Sequence, residues 1–148
     1  MNLSTRIESD YLAAMKARDE VRVGVLRMLK AAAKMRQVEL RHPLTDDELL
    51  DVVAKQAKQR RESVEQFAAA GRTDLVDKEE RELVVLLDYM PAPLSDAELD
   101  EAVRAAVAEL DARSMKDMGR VVQSVLAAHK GRVDGKRVSV AVKARLAS

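Results

Sequence analysis

Cysteine and tryptophan are absent from the 148 residues, and Tyr11, Phe67 and Tyr89 are the only aromatic side chains. Without cysteine there is no disulfide framework, no thiolate metal site and no cysteine nucleophile, so a reducing, cytoplasmic compartment is the expectation. Glycine (5) and proline (3) are also scarce, which leaves few places for a helix to break. Long apolar runs are missing as well. The first ten residues carry Glu8 and Asp10 and no apolar core, and the longest uncharged stretch near the middle is Leu83 to Leu87. Neither a secretory leader nor a membrane-spanning helix is expected.

What the chain does have is alanine, valine, leucine and methionine at helical spacing, which predicts an all-α fold. Leu3, Ile7, Tyr11 and Met15 mark one face of a first helix over residues 4–18. Asp19 caps a second, over 20–40, whose Val21, Val25, Met28, Leu29, Ala32 and Met35 form a stripe wide enough for burial on more than one side. His42-Pro43 stops it, because proline disfavours helical geometry in the residue before it. Thr45 and Glu48 then form a capping box for a third helix, with Leu49, Val53, Ala57, Val64 and Phe67 inward and its end near Gly71. Thr73 or Asp74 caps a fourth, carrying Leu75, Val76, Leu83, Val84, Leu87 and Met90 toward the core.

Pro91-Ala92-Pro93 is a stiff boundary, so residues 1–90 are read as a body of about four helices and 95–148 as a separate three-helix module. Ser95 and Glu98 make a second capping box, ahead of Leu99, Val103, Ala106, Val107 and Leu110. Ser114 and Asp117 open a sixth helix with Met118, Val121, Val122, Val125 and Leu126 inward. Gly131 and Gly135 bracket the turn to a last helix with Val138, Val142 and Leu146.

A reaction needs a nucleophile, a base and an orienting group that converge, and no such set is expected here. His42 falls in a loop and His129 at a helix end, where a cation is favourable in any case. No His-x-x-x-His or Glu-x-x-His pair proposes a metal site, and no glycine-rich fingerprint proposes a nucleotide cofactor. The acids Asp77, Glu79, Glu80 and Glu82 read as the solvated face of the fourth helix, and Lys55, Lys58, Arg60 and Arg61 as solvated surface of the third. Charge is uneven along the chain: residues 113–148 hold nine Lys or Arg against two acids. That excess is the footprint of a polyanion partner, and with no aromatic residue in the tail to stack on unpaired bases, folded RNA fits it best. The candidate RNA-binding residues are Arg113, Lys116, Arg120, Lys130, Gly131, Arg132, Lys136 and Arg137.

Several motifs carry a resemblance. Arg27-Met28-Leu29-Lys30, Gln59-Arg60-Arg61-Glu62-Ser63, Ala70-Gly71-Arg72 with Asp74-Leu75 and Lys78-Glu79, and Tyr89-Met90-Pro91 occur in order. Asp117-Met118-Gly119-Arg120-Val121 and Lys130-Gly131-Arg132-Val133-Asp134-Gly135 follow in the tail. In these the chain resembles the GatB/YqeY family, whose C-terminal module is similar to the tail of the B subunit of tRNA-dependent amidotransferases. The resemblance implies a two-part helical fold, tRNA as a partner contacted through Lys116, Gly119, Arg120, Lys130, Gly131 and Arg132, and a possible protein partner in tRNA aminoacylation or amidation. It also implies, through the family label, carbon–nitrogen ligase activity with glutamine as amide donor. The first expectation is a non-catalytic tRNA-associated accessory protein. A helical protein–protein adaptor and a glutamine-dependent ligase are the alternatives. An exposed apolar patch on residues 1–90 would mark the adaptor.

Overall fold

A computed structural model describes residues 2–147, and among them it contains seven α-helices and no strand. They are α1 (Leu3–Ala17), α2 (Glu20–Leu40), α3 (Asp46–Ala69), α4 (Thr73–Leu87), α5 (Asp96–Leu110), α6 (Met118–Ala128) and α7 (Gly135–Ala147), with a 3-10 turn, Met115–Asp117, leading into α6. The chain divides into two compact units, Met1–Met90 and Pro91–Ser148.

In the first unit α1 to α4 enclose a core of Ile7, Val25, Leu26, Leu29, Leu49, Val52, Val53, Ala57, Val85, Leu86 and Tyr89. The helix starts follow local chemistry. The Asn2 side chain accepts from the Thr5 amide, and the Asp19 carboxylate accepts from that of Arg22 at 3.1 Å. At α3 the Thr45 amide donates to the Glu48 carboxylate (2.9 Å) while the Glu48 amide donates to the Thr45 hydroxyl (3.2 Å). That backbone donor holds the Glu48 carboxyl below the usual glutamate range. Gly71, at φ 72°, ends α3 in the left-handed region, with the Arg72 amide reaching back to the Phe67 carbonyl. Neither Thr73 nor Asp74 caps α4. Its start has no side-chain cap, and Asp74 is held instead by Arg72 at 3.1 Å.

Three of the expected inward faces are rotated. In α1, steps of four residues drift by about 40° each, so Met15 lies about 120° from Leu3 whereas Ala14 lies about 20° from it. Ala14 is accordingly buried and Met15 exposed. In α2 the inward residues are Val25, Leu26 and Leu29, and Val21, Met28 and Met35 face solvent. In α4 Val85 and Leu86 are inside, as is Tyr89 just beyond it, with Leu83 and Met90 partly buried against the core as expected, while Val84 and Leu87 are outside.

The cause of the α4 rotation is Arg60. Far from being solvated, it turns into the interior from α3 and its guanidinium meets Glu79 at 3.1 Å and Glu82, both on α4, with the Met28 sulfur at 3.5 Å. Its Nε is buried without a hydrogen-bond partner among the described residues. A charge taken from water must be matched, so the acids expected on the outer face of α4 face inward. At the far end of the helix the buried Tyr89 donates its hydroxyl to Asp10 of α1 at 2.6 Å. The Arg6 guanidinium lies 4.7 Å from the Tyr89 ring centre and bonds the Asp88 carbonyl and carboxylate at 3.2 Å each.

The second unit is the three-helix arrangement of α5, α6 and α7 around Leu94, Leu99, Val103, Ala106, Ala112, Val121, Val125, Val138 and Val142. Val121, Val138 and Val142 are wholly buried, so valines at helical spacing do most of the filling. Ser95 and Glu98 form the expected capping box, at 3.0 and 3.1 Å. Ser114 and Asp117 do not. Ser114 caps only the 3-10 turn, and the Asp117 carboxylate accepts from the Arg113 amide at 3.0 Å.

Two outcomes test the first unit. Removing one partner of a buried pair strands the others, so Arg60→Ala loses about 3 kcal/mol of stability, whereas Arg60→Met with Glu79→Leu and Glu82→Leu stays within about 1 kcal/mol of wild type. Urea midpoints decide it; a triple variant as unstable as the single one would show a need for the charges themselves. Burial first, then the bond to Asp10, pushes the Tyr89 hydroxyl above the ordinary tyrosine pKa. The folded state therefore keeps a proton that the unfolded chain releases above about pH 10, and stability falls with pH there. In Tyr89→Phe that alkaline slope is shallower and the neutral-pH stability about 1–2 kcal/mol lower. Equal slopes in the two proteins would refute the assignment.

Candidate functional site

The tail residues expected to meet RNA lie on the second unit, where two of their arginines meet acids from well upstream and the other two meet acids two or three residues away. Pro91–Ser148 holds ten Lys or Arg against eight Asp or Glu, a net charge of +2, because α5 and its ends bring Asp96, Glu98, Asp100, Glu101, Glu109 and Asp111 into the same unit. The four arginines of the set each hold a carboxylate: Arg113 with Asp111 at 3.2 Å, Arg120 with Asp117 at 2.8 Å, Arg132 with Glu98 at 3.7 Å and Arg137 with Asp96 at 2.9 Å. Arg132 also donates to the Ala92 carbonyl at 2.8 Å. Arg132 and Arg137 thus fasten the turn around Gly131 to the start of α5. Gly131 sits at φ 79°, as such a turn requires. Lys116, Gly119, Lys130 and Lys136 are exposed. The isolated basic tail read from residues 113–148 becomes, once folded, a surface of mixed charge.

A different feature stands out on the first unit. α2 has two faces. Val25, Leu26 and Leu29 look into the core, and roughly 140° round the helix, at 100° per residue, lies a second apolar line. It comprises Val21, Gly24, Met28, Ala31, Met35 and Val38, and all six are exposed, Met28 at 55%, Met35 at 67% and Val38 at 71%. Their spacing of three and four residues in strict alternation is that of a coiled-coil seam. The stripe read from sequence merged parts of both lines and so assigned Met28 and Met35 to the core. The three-four alternation was the signal that could have separated them.

The remaining surface is chemically quiet. A half-open cleft of about 310 Å³ between α1, α2 and the start of α3 is lined by Ile7, Leu29, Lys30, Lys34, Leu44 and Leu49 among others. Of its two lysines, Lys30 pairs with Glu8 at 2.7 Å and lies 4.2 Å from the Tyr11 ring centre. The His42 ring donates to the Pro43 carbonyl at 2.8 Å, and its other nitrogen lies 3.5 Å from the Glu48 carboxylate. Among the described residues no cluster of three or more His, Asp or Glu is placed to hold a metal, and no helix is long and apolar enough to cross a membrane.

Comparison with known proteins bears on these readings. The protein from Pyrenophora tritici-repentis named "Altered inheritance of mitochondria protein 41, mitochondrial" is 31% identical over 138 residues, which is 90% of this chain and 75% of that one. Proteins of the same name from Eremothecium gossypii and Saccharomyces cerevisiae are 37% and 33% identical over 94 and 95 residues, covering 62% and 64% of this chain. The matched stretch is about half, 51%, of each of those two relatives. These names describe mitochondrial proteins and a part in the inheritance of mitochondria, and state neither RNA binding nor any catalytic activity. They correct the expectation of a tRNA-associated accessory protein or glutamine-dependent ligase, as well as that of a cytoplasmic home. The charge pairing within the second unit supplies the physical reason for the first of these corrections. The family model described as YqeY-like protein matches residues 4–146, a span that takes in both helical units, and the chain belongs to that family.

Proposed function

We propose that this chain acts by docking rather than by catalysis, through the solvent-facing seam of α2, in the transmission of mitochondria for which its fungal relatives are named. One observation carries the reading: Val21, Met35 and Val38 stand in solvent, and Met28 exposes over half its surface while its sulfur meets Arg60, in coiled-coil order on a helix whose other face is buried. Apolar groups exposed in that order fit the groove of a partner helix, and contiguous apolar surface of this kind commonly marks an interaction site. The names of the relatives give the process, and kinship brings it to this chain. The second unit is a self-contained helical module. Its Asp117–Val121 and Lys130–Gly135 motifs support a kinship of fold with the tail of amidotransferase B subunits, and no amidation follows from that kinship.

The test is complementation. In Saccharomyces cerevisiae lacking its relative, this chain fused to a mitochondrial leader restores inheritance of mitochondria, and Met35→Glu, which adds charge at an already exposed position, folds normally by circular dichroism but does not restore it. A Met35→Glu, Val38→Glu protein that complements as well as wild type would remove the seam from the function.

A further inference from the structure

We infer that the occupant of the α2 seam is a second copy of this chain, docked helix against helix in antiparallel order. The inference rests on the reading of that face as a docking surface and adds the identity of the partner.

The first argument is size. In an antiparallel pair each residue faces one whose number completes a constant sum. The register that aligns the two seams places Val21 opposite Val38 of the second copy, Gly24 opposite its Met35, and Met28 opposite its Ala31. The two-fold axis repeats these three levels in reverse. At both inner levels a long flexible side chain meets a residue with little or none, so the helices approach closely and leave no void. A parallel pair would set Met28 on Met28 and Gly24 on Gly24, alternately too wide and empty.

The second argument is Gly24. It lies in the interior of α2, where glycine is less favourable than alanine, yet a Cβ built there meets nothing within 4 Å. Nothing in the chain's own packing therefore asks for glycine. A second helix lying against this point does, since the missing side chain leaves room for Met35 of the other copy.

Charge does not choose the direction, which rests on size and on Gly24. At each end of the seam Glu20 comes beside Arg41 of the second copy, whereas the parallel order would set Lys34 beside Glu39 of the second copy. In the middle Arg27 comes beside Lys34 of the second copy, a like-charged pair that weakens the association. Eighteen residues of helix give a seam of about 27 Å, so the interface is near the small end of specific ones and the expected dissociation constant is on the order of 10 µM.

The absence of cysteine in the natural sequence permits a clean test of register. Gly24→Cys and Met35→Cys are made separately, and the open space at position 24 lets the first fold unchanged. Mixed under mild oxidation, the two proteins form a disulfide-linked dimer at least tenfold faster than either alone, because position 24 faces position 35 and lies about 16 Å along the helix from its own copy. By sedimentation, Gly24→Met weakens the dimer at least tenfold, and Met35→Ala added to it restores the affinity by exchanging large for small across the same level. A protein that stays monomeric at about 100 µM, well above the expected constant, overturns the proposal, and so does faster crosslinking of Gly24→Cys with itself. A photoreactive residue at position 35 separates this failure from failure of the docking reading. Capture of a different mitochondrial protein by a monomeric chain would end self-association and keep the docking face, whereas no adduct of any kind would end both.

Discussion

Arg60 brings a guanidinium into the first unit, and much of that unit is arranged around the requirement that its charge be matched away from water. Glu79 and Glu82 meet it from α4, and α4 can present them only by turning the face that carries them inward. That rotation sends Val85, Leu86 and Tyr89 to the core and leaves Val84 and Leu87 outside. Tyr89, once inside, needs a partner for its hydroxyl and finds Asp10, which with Arg6 fixes the C-terminal end of α4 against α1. One buried cation thus propagates through two helices by the simple rule that buried polar groups are paired.

The same unit shows how a helix can satisfy its own fold and still carry a surface to spare. α2 contributes Leu26 and Leu29, among the most completely buried side chains of the chain, from one face. Its opposite face exposes Met35 and Val38, which the core does not use. Side chains of this size in water are unfavourable for a lone protein, and Gly24 weakens the helix with no internal return. Both features gain a reason when another helix lies on the seam. In the second unit the opposite economy holds. Arg132 and Arg137 are engaged by Glu98 and Asp96 of α5, so charge that seemed available for a partner is spent on holding the turn at Gly131 to the start of α5.

The sequence determined the all-α class, the helix order and most of the helix ends, because these depend on neighbours within about four residues. Prolines, glycines and the Thr45–Glu48 and Ser95–Glu98 boxes act locally, and the second unit's inward valines follow one uninterrupted period. Only the tertiary structure decided which way α2 and α4 face and where the charges go. Reading acids as outward rotated α4 wrongly, since nothing near Glu79 and Glu82 reveals Arg60, about twenty residues earlier, as their partner. The two apolar lines of α2 could not be told apart from hydrophobicity alone, because burial is settled by what packs against a face and not by the residues on it. Net charge in the tail was misjudged for the same reason. Glu98 and Asp96 reach Arg132 and Arg137 only in the fold, whereas Asp111 and Asp117 are near neighbours of Arg113 and Arg120 along the chain.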